Sequence, residues 1–226
     1  MDYKLIKMIM KNLPKTLYVN FKIFNFKTAC KLPIIISNRT KIEGINKNTI
    51  KINSNNIGMA MVMIGINNGS EGLMSDRSKN YFGTDGKSQI IFNGYVDISK
   101  GCCLKAINNG IITIGNQVSL NANCKVFCKK GIKISDNALL GWNCTLNDGD
   151  GHIIYNDKKD IINQNKSIFV GQGVWLGAEV TLLKGSYIPN NCVVGYGSIV
   201  TKKFNIENCI IAGYPAKIKK ENIKWK

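Results

Sequence analysis

Residues 170–203 read VGQGVWLGAEVTLLKGSYIPNNCVVGYGSIVTKK, and every sixth residue from Val170 is aliphatic: Val170, Leu176, Leu182, Ile188, Val194 and Val200. A strand repeats its faces every two residues and an α-helix every 3.6, so a strict period of six fits neither as a continuous element. It predicts a coil with flat faces, in which each hexapeptide supplies one short strand and one corner. The aliphatic residue fills the interior. The residue four places on is small or β-branched, as a crowded corner requires: Val174, Val180, Ser186, Cys192 and Ser198. Three hexapeptides close a triangular turn, and stacked turns pair their backbones in parallel. Gly171, Gly177 and Gly195 directly follow an aliphatic slot, where the missing Cβ is expected to let the chain bend.

Upstream the same step recurs in shorter blocks: Ile98 and Leu104, then Ile114, Leu120 and Val126, then Ile134, Leu140 and Leu146. Their second slots hold Cys102, Val118, Cys124, Ala138 and Cys144, and Gly115 and Gly141 repeat the glycine position. Cysteines in such slots read as small buried hydrophobes, not reactive groups. The repeat breaks three times, and a break must leave the coil as a surface loop. The longest separates Leu146 from Val170 and reads LNDGDGHIIYNDKKDIINQNKSIF. It carries the one histidine of the chain, His152, with Asp148, Asp150, Asp157 and Asp160. Function concentrates on loops that interrupt a rigid scaffold, and imidazole suits proton transfer near neutrality, so His152 is the candidate base.

The length of 226 residues and 44% hydrophobic content suit one main globular domain. No apolar run reaches the roughly 18–20 residues that cross a bilayer, and the opening MDYKLIKMIMKNLPK lacks an apolar signal region, so a cytoplasmic protein is expected. Eight cysteines without a CxxC pair, beside one histidine, argue against a zinc site and against a disulfide framework. The formal net charge of +17 attracts phosphates: nucleic acid, an anionic membrane and a phosphorylated cofactor all fit. No RNA- or DNA-binding motif accompanies the charge, which disfavours nucleic acid. Residues 1–31 hold seven Lys against one Asp, interleaved with Leu, Ile, Tyr and Phe. Such a segment either packs on the coil or lies on an anionic membrane, which would put the protein at the inner face of the membrane.

Three segments, ISDNALLGWNCTLNDGDGH at 134–152, the 170–203 stretch and IIAGYPAKI at 210–218, make the chain resemble the hexapeptide-repeat acyltransferases. The likeness runs from about Ile90 to Lys220 and is greatest to the branch of maltose, galactoside and surface-polysaccharide O-acetyltransferases. It implies an all-β fold, a left-handed parallel β-helix with a lead-in segment and a long inserted loop. The divisions expected are a basic lead-in over 1–89, packing on the coil, the β-helix over 90–213 with the loop at about 147–169, and a tail over 214–226. It further implies a homotrimer with acetyl-coenzyme A bound between neighbouring subunits and no metal.

By the same resemblance His152 is catalytic, with Asp150 or a backbone carbonyl fixing its tautomer, and Asn121 lies on the substrate side. Asn123 competes for that role, and Trp142 joins the acceptor contacts. The coenzyme would meet Trp175, Gly177, Ala178, Tyr196, Gly197, Thr201, Lys202 and Lys217. The implied activity is acetyl transfer to a sugar hydroxyl of a cell-surface polysaccharide or its lipid-linked precursor. Without a GxSxG signature, direct transfer is preferred to an acyl-enzyme. Rival readings are N-acetylation of an amino sugar nucleotide, a non-catalytic β-helix binding module, and a zinc carbonic anhydrase, which needs more histidines than one.

Overall fold

The computed structural model describes residue 7 and residues 9–67 and 78–225. Residues 1–6 and 8, part of the basic stretch with packing and membrane alternatives, residues 68–77 in the lead-in and residue 226 lie outside the described residues.

The six-residue columns become the three interior edges of a triangular coil. Backbone pairing aligns Leu120, Leu140, Leu176 and Val194 on one face, Val126, Leu146, Leu182 and Val200 on the second, and Ile114, Ile134, Val170 and Ile188 on the third. All twelve side chains are fully buried. Each contributes about 1.5–3 kcal/mol of burial, which a strand that slipped by one residue would lose along its whole face. Among the described residues the three faces are sheets of nine, seven and six strands, parallel except for the last strand of the nine, and up to Ile199–Val200 every third strand shares a face. The chain is an all-β, left-handed parallel β-helix.

The corners differ from expectation in one respect. The bend belongs to the third residue after the aliphatic slot, where Asn123, Asn137, Asn143, Glu179 and Asn191 all adopt φ between 56° and 63°. Asn tolerates this left-handed region better than other side chains, which accounts for the recurrence of asparagine there. The glycine directly after the slot serves close approach instead. A Cβ on Gly141 would lie 2.6 Å from the amide nitrogen of Ala178 in the next coil, so only glycine lets the turns stack.

Coil strands start well before the hexapeptide spacing becomes visible near residue 90. Ile34–Ile36 pairs with Val62–Ile64, which pairs with Val96–Ile98. The connections between the early strands are irregular in length, so ladder pairing preserves a coil that spacing does not reveal. Helix α1, Leu13–Ile23, opens with a proline in its first turn and covers the exposed end of this sheet. Val19 and Ile23 join the core, while Thr16 and Asn20, one turn apart, bond the backbone of Ile36 and Ile34. Two side chains thus satisfy a sheet edge that would otherwise be open to another strand.

Six of the eight cysteines are buried and all are free thiols. Burial, with Asp148 beside it, pushes the Cys128 thiol well above its ordinary range. Asp148 itself is fully buried, accepting the backbone N–H of Lys129, Lys130 and Gly131 at 2.6, 2.9 and 2.6 Å. It closes the break between Val126 and Ile134 and is a structural acid.

Candidate functional site

Stacking in register places the residues that leave four successive strands in one vertical line. Asn121 follows Val118–Leu120, Gly141 follows Leu139–Leu140, Gly177 follows Trp175–Leu176, and Gly195 follows Val193–Val194. These four line a cavity of about 360 Å³ with walls formed by Trp142, Trp175 and Tyr196. Glycines keep the floor free of side chains, and the aromatic walls supply apolar area for a ligand. The Tyr196 hydroxyl is hydrogen-bonded to Glu179, which raises its pKa. One neighbour of the Trp175 wall was not foreseen: the Trp225 indole, outside the lining, lies 5.8 Å from that of Trp175 and donates to the Gly173 carbonyl at 2.8 Å. The hairpin Ile210–Gly213 with Ala216–Lys220 turns the tail back along the coil, and no periodic signal marks that return.

Of the expected residues, Asn121, Trp142, Trp175, Gly177, Ala178 and Tyr196 therefore share one cavity. Gly197, Thr201, Lys202 and Lys217 are exposed and stand outside its lining. The Lys202 ammonium sits 5.4 Å from the centre of the Phe204 ring. Asn123 occupies a left-handed corner, and its side-chain amide nitrogen donates to the side-chain Oδ1 of Asn143 one coil above at 2.6 Å.

His152 lies elsewhere on the chain. A second cavity, of about 440 Å³, is lined by Lys129, Asp150, His152, Ile153, Ile161 and Asn163 among others. Its wall is the inserted loop, folded as a hairpin in which Tyr155 bridges Ile161 and the Ile162 N–H bonds the Ile154 carbonyl at 3.0 Å. The Asn163 side chain ties the base of the hairpin, donating to the Asp150 carboxylate at 2.8 Å and to the His152 carbonyl at 2.7 Å.

Asp150 was expected to hold the His152 imidazole. Its carboxylate bonds Lys184 and Asn163 instead, and these two partners hold it below the usual carboxylate range. A full cation outcompetes a neutral imidazole for a carboxylate, which is the physical reason for the difference. Among the described residues the exposed His152 ring has no hydrogen-bond partner, and it shares no cavity with Asn121. Among those residues, too, no group of His, Cys, Asp and Glu is arranged to hold a metal ion, and no helix is long and apolar enough to cross a membrane.

No family model matches the chain. An uncharacterised 24.8 kDa protein of the cps region of Klebsiella pneumoniae is 28% identical over 208 residues, 92% of this chain and 87% of that one. A polysialic acid O-acetyltransferase of Escherichia coli O1:K1 is 35% identical over 137 residues, 58% of this chain. The chain spans 44% of that relative's length. The solved structure of the polysialic acid O-acetyltransferase OatWY superposes with a TM-score of 0.63 at 29% identity, covering 85% of this chain and 86% of the other.

Proposed function

We propose that the chain is a hexapeptide-repeat acyltransferase that transfers the acetyl group of acetyl-coenzyme A to a sugar hydroxyl of a cell-surface polysaccharide or its lipid-linked precursor. The observation that carries this reading is the glycine-floored, tryptophan-walled cavity beside Asn121. Its relatives named as O-acetyltransferases act on glycans, and the cps-region relative matches along nearly the whole chain.

The neutral His152 imidazole accepts the proton of the acceptor hydroxyl as that oxygen attacks the thioester carbonyl. The carbon–sulfur bond breaks, and the coenzyme thiolate leaves and takes up the proton. A positioned general base contributes roughly 10²–10⁴-fold, the remainder coming from alignment. Asn121 orients the acceptor. Asp150 acts at one remove, fixing the loop backbone at His152 through Asn163. Gly177, Ala178, Trp175 and Tyr196 hold the coenzyme arm, and Trp225 packs against Trp175 from behind that lining. Gly197, Thr201, Lys202 and Lys217 lie further out, where cations suit the nucleotide phosphates.

In this reading the working site joins two copies in a homotrimer with the coenzyme between neighbours, which fits His152 and Asn121 lining separate cavities of one chain. The hairpin supports this arrangement: Ile153, Ile154, Tyr155, Ile161 and Ile162 are all exposed, an apolar tip suited to a neighbouring subunit. The place of action in this reading is the cytoplasm.

Acetyl-coenzyme A turnover against a panel of hydroxyl and amino glycan acceptors, with mass spectrometry of the product, tests the reading. Ester formation on a sugar hydroxyl is expected. Amide formation on an amino sugar would replace it with N-acetylation, and failure to bind coenzyme A would leave a non-catalytic module.

A further inference from the structure

We propose that the N-terminal helix is a docking face for an anionic lipid surface. Helix α1 has two apolar sides. The inner one, Thr16, Val19, Asn20 and Ile23, is buried on the coil. On the outer side Leu17 and Phe21 lie one turn apart with Tyr18 beside them, Met10 precedes the helix, and all four are exposed. Phe26, in the short helix Phe26–Ala29, extends the patch, its ring meeting that of Phe21 edge to face at 5.8 Å.

The charge around this patch selects its occupant. Between residues 3 and 42 the sequence holds nine Lys and Arg and not one Asp or Glu. Lys11, Lys22 and Lys27 are exposed, and the Lys22 ammonium stands over the Tyr18 ring at 5.2 Å. A second copy of the same face would bring cations onto cations with no carboxylate to pair them. A nucleic acid would meet Met, Leu and Phe at the centre of its footprint. A bilayer with anionic headgroups satisfies both parts, because aromatic and aliphatic side chains enter the headgroup boundary while lysines pair with phosphates. Thr16 and Asn20 bond the Ile36 and Ile34 backbone, so the helix is held with this side outward. The inference stands apart from acetyl transfer, since none of these residues lines either cavity.

The test is co-sedimentation of the full chain with sucrose-loaded vesicles, either equal parts phosphatidylglycerol and phosphatidylcholine or phosphatidylcholine alone. Wild type is expected to pellet with the anionic vesicles, to stay in solution with the neutral ones, and to be released by high salt. Leu17→Gln with Phe21→Gln should weaken binding at least tenfold, and Lys22→Gln with Lys27→Gln several-fold with a shallower salt dependence. These positions are exposed, so circular dichroism and size-exclusion elution should match wild type. No partition of wild type to anionic vesicles overturns the proposal, as does unchanged binding of the Leu17/Phe21 variant. A Leu17/Phe21 variant that changes oligomeric state would assign the face to another copy of the chain. Turnover on a soluble acceptor is read separately, so failure here leaves the acetyl-transfer reading untouched.

Discussion

The Asp150 carboxylate is paired with the ammonium of Lys184 across 34 residues of sequence, joining the inserted loop to the coil turn that follows it. This contact, with Asn163, anchors the base of the hairpin that carries His152. The pair is part-exposed, so its contribution to global stability is small, about 1 kcal/mol or less. Lys184→Ala should therefore barely move Tm while raising the rate of proteolysis within residues 153–165 and lowering kcat. The pairing holds Asp150 below its ordinary pKa, so the anchor is intact above the unfolded carboxylate range and is lost as pH falls through the depressed value. Loop proteolysis that is constant from neutral to mildly acidic pH and rises only below the ordinary carboxylate range would match this. A rise near neutrality would not.

His152→Ala should keep assembly and coenzyme A affinity while lowering turnover roughly 10²–10⁴-fold. Activity should also decline as the imidazole becomes protonated, because the cation cannot accept a proton. A variant acetylating its acceptor at near wild-type rate would move proton removal to another group.

Separation of His152 from Asn121 has a direct consequence for assembly. His152→Ala and Asn121→Ala, each nearly inactive alone, should regain part of the wild-type rate when unfolded and refolded together, since some mixed trimers contain one intact site. Light scattering should give three copies per particle. Mixed particles without recovered activity would place both residues in one subunit's site.

Trp225 packs on Trp175 but is only half-buried and stands outside the coil's core, so its loss should leave the core alone. Trp225→Ala should weaken coenzyme A binding about threefold to tenfold with Tm nearly unchanged, because Trp175 loses the ring packed against it. Lys202→Ala and Lys217→Ala should each weaken coenzyme binding by at most about 1 kcal/mol, because both are exposed and their contacts are screened by solvent. Calorimetry reads all three.

For the coil, Leu182→Ala should cost about 2–5 kcal/mol because a fully buried side chain leaves a cavity. Gly141→Ala should be comparably harmful although it adds a single methyl, since that carbon would meet the Ala178 backbone at 2.6 Å. Denaturant melts decide this: a neutral Gly141→Ala would mean that the coils can move apart.

The interior of this protein was legible in its sequence because a triangular coil repeats its environment every six residues. Val170, Leu176, Leu182, Ile188, Val194 and Val200 had to point inward together, and all are fully buried. The histidine loop could be located for the same reason, as the longest interruption of the period. Spacing could not tell what each glycine does, since the contact that excludes a Cβ at Gly141 comes from residue 178, on the next coil. Nor could it reveal the coil strands from Ile34, whose pairing with Val62–Ile64 depends on backbone hydrogen bonds across irregular connections. The partners of Asp150 and the place of Trp225 were likewise decided in three dimensions. Lys184 is a stronger partner than His152 for a carboxylate, and Trp225 reaches Trp175 because a hairpin reverses the tail. Periodicity determines which side chains are inside; contacts between distant turns determine what the outside residues can do.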